Sequence, residues 1–203
     1  MKRAILFFFA VAAAAQQEPA WRKMFDGQTL KDWKETPFTG KGKVTVQDGA
    51  IVIGAGYMTG VNYTGTLPKA NYEVRMEAQR VEGHDFFAGI TFPVNDSYLT
   101  WINGGWGGSL VGLSSLDGND ASENETAISR DFQQGRWYRL WLAVTEDRIR
   151  AWIDNELVID VGIAGREVGL RLGEIELSKP FGIATYGTTA KIRNLEWRPL
   201  PEK

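Results

Sequence analysis

Residues 137–154 read WYRLWLAVTEDRIRAWID, and in both halves of this stretch apolar side chains occupy every second position. Such alternation is typical of a β-strand that packs one face against a core. The polar pair Glu146-Asp147 separates the halves and fits a two-residue hairpin loop. Because the loop of a hairpin sets its register, this stretch predicts four cross-strand pairs. They are Leu142 with Ala151 and Leu140 with Ile153 on the core face, and Trp141 with Trp152 and Arg139 with Asp154 on the outer face.

The same two-residue period recurs along most of the chain, and helical periodicity is nearly absent. Residues 72–79 and 157–161 alternate most clearly. Further strands are predicted at residues 43–47, 50–54, 86–92, 98–102, 109–113, 168–172, 181–186 and 191–197. Short strands separated by polar turns predict an all-β domain of two packed antiparallel sheets.

The N-terminus has the layout of a cleaved secretory signal. Lys2 and Arg3 precede an apolar run that ends in alanines at Ala15. The run is too short for a transmembrane helix and no second hydrophobic segment follows, so we expect an exported protein, periplasmic or extracellular, without a membrane span. Residues 1–15 are the predicted signal peptide, and residues 16–203 are predicted to form one domain.

Composition indicates how the fold is stabilised and which class of partner is not favoured. The chain has no cysteine, so its stability is expected to come from a hydrophobic core rather than from disulfides. Its formal net charge is −2, which does not favour nucleic acid as a partner.

Residues 101–126 concentrate tryptophans, glycines, amides and acids in one segment. Glycines let the backbone approach a ligand closely, and an indole offers a flat face for a sugar ring. The alternative is a long surface loop with glycines in its turns and solvated acids. As a carbohydrate site, the segment supplies these candidate substrate-binding residues: Trp101, Asn103, Trp106, Asn119 and Asn124.

Several short motifs together carry a family resemblance. They are WRKMFDGQTLKDW at 21–33, NYEVR at 71–75, FAGITF at 87–92, GGWGG at 104–108 and IRNLEW at 192–197. In this order and spacing the chain resembles the 3-keto-disaccharide hydrolase domain family over nearly its whole length after the leader. The resemblance implies a concanavalin A-like jelly-roll sandwich, export, and hydrolysis or related cleavage of 3-keto glycosides.

Cleavage of a 3-keto sugar needs only one base and one acid. The carbonyl acidifies the proton on C2, so the aglycone can leave by elimination before water adds. The candidate catalytic residues are His84, Asp120, Glu123 and Glu125, and further candidates for substrate binding are Arg171 and Glu176. His84 is the only histidine, and its alternative role is a loop side chain hydrogen-bonded to a neighbour. An arginine beside acids more often holds a structural ion pair, which is the alternative for Arg171.

No resident cofactor is expected, and the sequence does not determine whether a metal binds. A site built from several histidines is excluded by the single histidine. Calcium is the remaining alternative because residues 117–123 contain oxygen ligands, although their spacing does not match a known calcium-binding loop. These ligands are Asp117, Asn119, Asp120 and Glu123.

The sequence therefore predicts an exported carbohydrate-active enzyme with a glycoside as its ligand. A non-catalytic, lectin-like binding module is the second hypothesis, and a small adhesive or scaffold domain is the third. Trp141 and Trp152 bear on this choice, since they form a stacking platform if their face is open and core if it is covered. A carboxylate in a cleft beside a second acid or His84 favours the enzyme, because binding alone needs no proton transfer.

Overall fold

The computed structural model describes residues 18–200, so the predicted signal peptide lies outside the described residues. These residues form strands joined by turns and loops, together with one 3₁₀ helix, Glu174–Ser178. The strands are β1 (Arg22–Lys23), β2 (Trp33–Glu35), β3 (Val44–Gln47), β4 (Ala50–Ile53), β5 (Met58–Tyr63), β6 (Tyr72–Glu82), β7 (Gly89–Val94), β8 (Ser97–Gly105), β9 (Leu110–Ser114), β10 (Ile128–Ser129), β11 (Trp137–Val144), β12 (Arg148–Ile153), β13 (Glu156–Gly162), β14 (Gly182–Tyr186) and β15 (Thr189–Pro199).

The strands form two antiparallel sheets. One has the order β13-β12-β11-β6-β15-β4-β3, with β1 added beside β15, and the other has the order β10-β9-β8-β7-β14-β5-β2. Alternate side chains of both sheets point into one shared hydrophobic core. Strands β7 to β10 and β11 to β13 pair in sequence order, whereas the central pairs, β6 with β15 and β7 with β14, are distant in sequence. The long connections that bring these central strands together give the jelly-roll sandwich that the family resemblance implies.

The hairpin of β11 and β12 confirms the predicted register. Leu140 pairs with Ile153, and Trp141 pairs with Trp152. The pair of Arg139 and Asp154 is made through the backbone, because the Asp154 carboxylate accepts from the Arg139 amide at 2.9 Å. The charges of this predicted pair do not meet, because the carboxylate takes its ionic partner from Arg136, at 2.6 Å.

Two other strand predictions differ from the structure. Residues 168–172 form no strand and contribute only an isolated bridge between Val168 and Leu116. Leu172 is 89% exposed, so the alternation there does not mark a buried face. The strand predicted from residue 86 begins at Gly89, because residues 86–88 still belong to the turn after β6.

Small residues on the outer face of the seven-stranded sheet let loops pack directly against it. A side chain at Gly112 would meet the Ala121 carbonyl oxygen at 2.6 Å, and one at Gly182 would meet the Ser178 carbonyl oxygen at 2.6 Å. The loop after β9 and the 3₁₀ helix therefore cover the two flanks of this face and leave a cleft between them. Within residues 18–200, no helix is long and apolar enough to cross a membrane.

Candidate functional site

The cleft lies on the outer face of the seven-stranded sheet and has a volume of about 600 Å³. This size is within the range of small-molecule sites in proteins. Its floor is formed by side chains of the central strands, including Thr100 and Ile102 of β8 and Ser114 of β9. Its walls are the loops that carry Trp106 and Arg171 on one side and the aromatic residues Tyr57 and Tyr186 on the other.

The loop after β8 presents Trp106 at the cleft with 45% of its surface exposed. Trp106 itself has a positive φ of 48°, and Gly104, Gly107 and Gly108 around it also lie in the left-handed region. The Gly107 amide donates to Oδ2 of Asp85 at 3.2 Å, which ties the loop to a carboxylate that also lines the cleft. The glycine-rich sequence thus produces a tight loop that keeps the Trp106 indole partly exposed at the cleft.

Arg171 and Asp120 form an ion pair beside this indole. Nη1 of Arg171 lies 2.7 Å from Oδ2 of Asp120, and the guanidinium carbon lies 5.7 Å from the centre of the Trp106 ring. Oδ1 of Asp120 accepts hydrogen bonds from the Ser114 hydroxyl and from the Ala121 amide. Arg171 is largely exposed and Asp120 is largely buried, so the arginine is the member of the pair that a ligand meets first.

The opposite wall is aromatic. The rings of Tyr57 and Tyr186 are 5.1 Å apart, and Phe86 lies 5.9 Å from Tyr186. A hydrogen bond with Tyr57 raises the pKa of the Tyr186 hydroxyl above its ordinary value, so this phenol stays neutral. Glu174, at the start of the 3₁₀ helix, also lines the cleft and accepts from the Thr39 amide at 3.2 Å.

Three of the predicted site residues therefore meet in one place: Trp106, Asp120 and Arg171. Because Arg171 is distant in sequence from the other two, only the fold brings it to them.

The structure does not place Trp101 and Asn103 in the cleft. Both side chains are fully buried, and Trp101 belongs to the hydrophobic core on the inner face of β8. Asn103 donates to the Ala88 carbonyl oxygen at 3.0 Å. The prediction that these two residues contact substrate was wrong, because the outward positions of β8 are Thr100 and Ile102.

Asn124 and Asn119 hold the loop after β9 together. The Asn124 amide donates to the carbonyl oxygens of Leu113 and Asp120 at 2.8 Å, and its oxygen accepts from Thr126. Asn119 exchanges backbone hydrogen bonds with Leu116 in a tight turn. The predicted substrate-binding role of Asn124 was wrong, because its donors and acceptor are already used within the loop.

Glu125 makes a structural ion pair. Both of its oxygens accept from Arg166, which also pairs with Asp117 at 2.7 Å. The Arg166 guanidinium holds the pKa of Glu125 and of Asp117 below their ordinary values. This arrangement clamps the loop after β9 to residue 166 outside the cleft, so the structure contradicts a catalytic Glu125.

The remaining predicted residues also lie outside the cleft lining. His84 is exposed in the turn after β6, and Glu123 is exposed with one oxygen 3.3 Å from the Asp120 amide. Glu176 pairs with Lys179 at 3.3 Å. The cleft instead receives Asp85 and Glu174, which are sequence neighbours of His84 and Glu176. Asp85 and Glu174 were not among the predicted site residues, because the direction of each side chain was not readable from the sequence.

The oxygen ligands considered for calcium point to different partners. Asp117 binds Arg166, Asp120 binds Ser114 and Arg171, and Glu123 faces the Asp120 amide. Across the described part of the chain, no group of three or more acidic, histidine or cysteine side chains is arranged to hold a metal ion.

Comparison with solved structures identifies the same fold in carbohydrate-related proteins. The carbohydrate binding module CBM66 from Bacillus subtilis is 14% identical, with a TM-score of 0.57 over 82% of this chain and 95% of that one. The Crh5 transglycosylase in complex with NAG is 11% identical, with a TM-score of 0.62 over 92% of this chain and 88% of that one. Domain 4 of AbnA, an extracellular arabinanase from Geobacillus stearothermophilus, in complex with arabinotriose, is 12% identical, with a TM-score of 0.53 over 82% of each chain.

At these identities the likeness shows the fold alone, and it confirms the jelly-roll sandwich. No curated protein matches the sequence significantly. The model of one protein family, described as the 3-keto-alpha-glucoside-1,2-lyase-like domain, matches residues 20–198. Since this match spans both sheets and every residue of the cleft, the chain belongs to the 3-keto-alpha-glucoside-1,2-lyase-like domain family.

Proposed function

We propose that this protein binds a glycoside in the cleft of the seven-stranded sheet and cleaves 3-keto glycosides there by elimination. The observation that carries the proposal is the proximity of three chemically different groups at one wall: Trp106 and Arg171 line the cleft, and Asp120 lies beneath it. Trp106 supplies an exposed indole, Arg171 a guanidinium 5.7 Å from that ring, and Asp120 a carboxylate 2.7 Å from the guanidinium. These are the groups needed to stack a sugar, stabilise a developing oxyanion and accept a proton.

Arg171 is the proposed electrophile. When the C3 carbonyl oxygen of a 3-keto sugar accepts a hydrogen bond from the guanidinium, the negative charge that develops on this oxygen is stabilised. The exposed guanidinium can reach such an oxygen without leaving the cleft, because it already lines the cleft beside Trp106.

Asp120 is the proposed base. As Arg171 turns to the substrate, Oδ2 of Asp120 loses its partner while Oδ1 stays fixed by Ser114 and Ala121. The freed oxygen takes the proton from C2, the electrons of the C–H bond form a C2–C3 double bond, and the carbonyl electrons move onto the C3 oxygen beside Arg171. When the carbonyl re-forms, the electrons of the C2–C3 double bond form the C1–C2 double bond, and the bond from C1 to the aglycone oxygen breaks. The proton then passes to that oxygen, so an alcohol leaves, and addition of water across the double bond completes a net hydrolysis.

Sugar binding without catalysis is the second candidate function, and one observation favours it. Each carboxylate that lines the cleft or lies beneath it already accepts hydrogen bonds: Asp85 from Gly107, Asp120 from Ser114 and Glu174 from Thr39. A binding protein uses such fixed acceptors without proton transfer. The similarity in fold to a carbohydrate binding module also supports this alternative.

Export belongs to the same proposal. The apolar run before Ala15 supports secretion, and an exported glycoside-binding protein would meet its ligand outside the cytoplasm. Detection of a mature N-terminus at Gln16 in the secreted fraction would test this part.

The deciding experiment measures turnover of a 3-keto glycoside by the wild type and by Asp120→Asn, Arg171→Gln and Trp106→Ala. We expect the first two variants to lose turnover by about 100-fold or more, since each removes a group that acts on the transition state. Trp106→Ala should mainly raise KM. Glu125→Gln is the matched control, because it alters an acid of the same loop that faces Arg166 instead of the cleft.

The outcomes separate the two candidates. Turnover that survives in Asp120→Asn and Arg171→Gln would overturn the catalytic assignment. A wild type that binds glycosides in calorimetry without turning over any 3-keto glycoside would establish the binding module instead.

A further inference from the structure

The outer face of the eight-stranded sheet carries a second cleft, of about 390 Å³, on the side of the sandwich opposite to the first. We propose that this cleft binds an acidic oligosaccharide, independently of the glycoside cleft. Its lining includes Trp21, Arg139, Trp141, Trp152, Asn155 and Asn194.

Tryptophans form two walls of the second cleft. The rings of Trp141 and Trp152 are 4.9 Å apart at an angle of 30°, and Trp141 is 37% exposed. On the other side, Trp21 is held by the guanidinium groups of Arg75 at 4.0 Å and Arg198 at 4.6 Å. The rings lie outside the core between the sheets, so the sequence alternative of a covered core role does not apply to them. Fixed and partly open indoles are suited to stacking on the apolar faces of sugar rings.

Most arginines of this face pair with carboxylates, including Glu77 and Glu196 of the cleft lining, whereas Arg139 at the cleft does not. The pairs are Arg75 with Glu196, Arg193 with Glu77, Arg198 with Glu73, and Arg148 with Asp160. Arg139 lies beside Glu77 in the strand register, but Glu77 binds Arg193 at 2.6 Å. Within residues 18–200, the guanidinium of Arg139 therefore has no hydrogen-bond or ion-pair partner.

An unpaired guanidinium between indole walls selects a ligand that carries a carboxylate. Guanidinium binds carboxylate through two parallel hydrogen bonds, and the adjacent amides of Asn155 and Asn194 can bind hydroxyls. A sugar acid within an oligosaccharide supplies all three kinds of group: apolar ring faces, hydroxyls and a carboxylate. Because the two clefts open on opposite sheets, this one would attach the protein to an acidic polysaccharide while the glycoside cleft stays free.

Calorimetric titration with trigalacturonate, and with the neutral galactose trisaccharide, tests the proposal. We expect the wild type to bind the acidic trisaccharide and to bind the neutral one at least about tenfold more weakly, because a charged hydrogen-bonded pair is lost. Arg139→Gln should remove this preference and Trp141→Ala should abolish binding. Arg150→Gln is the control, since it removes an arginine of the same sheet that pairs with Asp160, and it should bind as the wild type does.

Trp106→Ala identifies the site, because it changes the glycoside cleft alone. Binding of trigalacturonate that is lost in Trp106→Ala but kept in Trp141→Ala would overturn the proposal. Absence of binding in the wild type, or equal weakening by Arg139→Gln and Arg150→Gln, would overturn it as well. Thermal unfolding of each variant separates loss of binding from loss of fold. Because Arg139 is exposed, Arg139→Gln should unfold as the wild type does.

Discussion

Nη2 of Arg80 donates to the carbonyl oxygen of Gly108 at 2.8 Å and to that of Gly104 at 3.2 Å. The guanidinium is buried against the rings of Phe87 and Phe132. Burial lowers the pKa of Arg80 from its ordinary value, but the group remains charged because an arginine pKa is so high. A residue of the eight-stranded sheet thus fixes both ends of the loop that presents Trp106 on the other sheet.

We therefore predict that Arg80→Lys loosens this loop. A lysine side chain is one bond shorter than the path to Nη2, so its ammonium cannot take the position from which Nη2 serves both carbonyl groups, and at least one is left unpaired. The free energy of unfolding should fall by about 1–3 kcal/mol, and glycoside binding in the first cleft should weaken. Urea denaturation and calorimetry measure these effects. Arg150→Lys, at an exposed position, should change neither, and a stable Arg80→Lys variant with unchanged binding would contradict the role.

The second prediction concerns the ion pair of Arg136 and Asp154. Asp154 accepts from Arg136 at 2.6 Å, whereas Arg139 contacts Asp154 only through its backbone amide and carbonyl groups. In a double-mutant cycle, Arg136→Gln and Asp154→Asn should couple by about 0.2–1 kcal/mol. Arg139→Gln and Asp154→Asn should be additive. Coupling between Arg139 and Asp154, with additivity between Arg136 and Asp154, would show that Asp154 pairs with Arg139 in solution instead.

The hairpin illustrates why much of the fold was predictable from the sequence. Strict alternation on both sides of a two-residue loop permits one register that buries apolar residues on one face, and the structure has that register. Trp101 shows where this argument fails. Leu99 and Trp101 point into the core, but the outward Ile102 is also apolar, so β8 shows no clean alternation; Ile102 is buried because loops cover part of the outer face.

The site was less predictable than the fold for a related reason. Residue type indicated acids, amides and an indole near residues 101–126, but side-chain direction depends on partners that are far away in sequence. Glu125 pairs with Arg166 away from the cleft, whereas Asp120 pairs with Arg171, which lines the cleft. The two arginines are close in sequence, and only their positions in the fold separate a structural ion pair from a candidate catalytic one.

The third prediction is a pH dependence at Asp26. Backbone hydrogen bonds from Thr29 and Gln28 lower the pKa of this carboxyl to about 2. Since the pKa in the folded state is depressed, the stabilisation from Asp26 is fully present above the unfolded pKa of about 4 and is lost as pH falls through the folded pKa. Asp26→Ala should therefore be less stable than the wild type at pH 7, and this difference should shrink toward pH 2. Urea denaturation across this range tests the trend, and an NMR titration midpoint near 4 for Asp26 would contradict its cause.

The last prediction distinguishes elimination from direct displacement at C1. If Asp120 removes the C2 proton, hydrolysis of a 3-keto glycoside in D₂O should give a product with deuterium at C2, because the water that adds to the double bond delivers its hydrogen there. Direct attack of water on C1 leaves the original hydrogen in place. Mass spectrometry of the product measures the difference, and the 3-keto sugar incubated without enzyme controls for exchange next to the carbonyl. Asp120→Asn should slow deuterium incorporation and release of the aglycone together, by about 100-fold or more, since both depend on the same proton removal. A product that retains its C2 hydrogen at full turnover would exclude the elimination. Asp120 would then only position Arg171 through their ion pair.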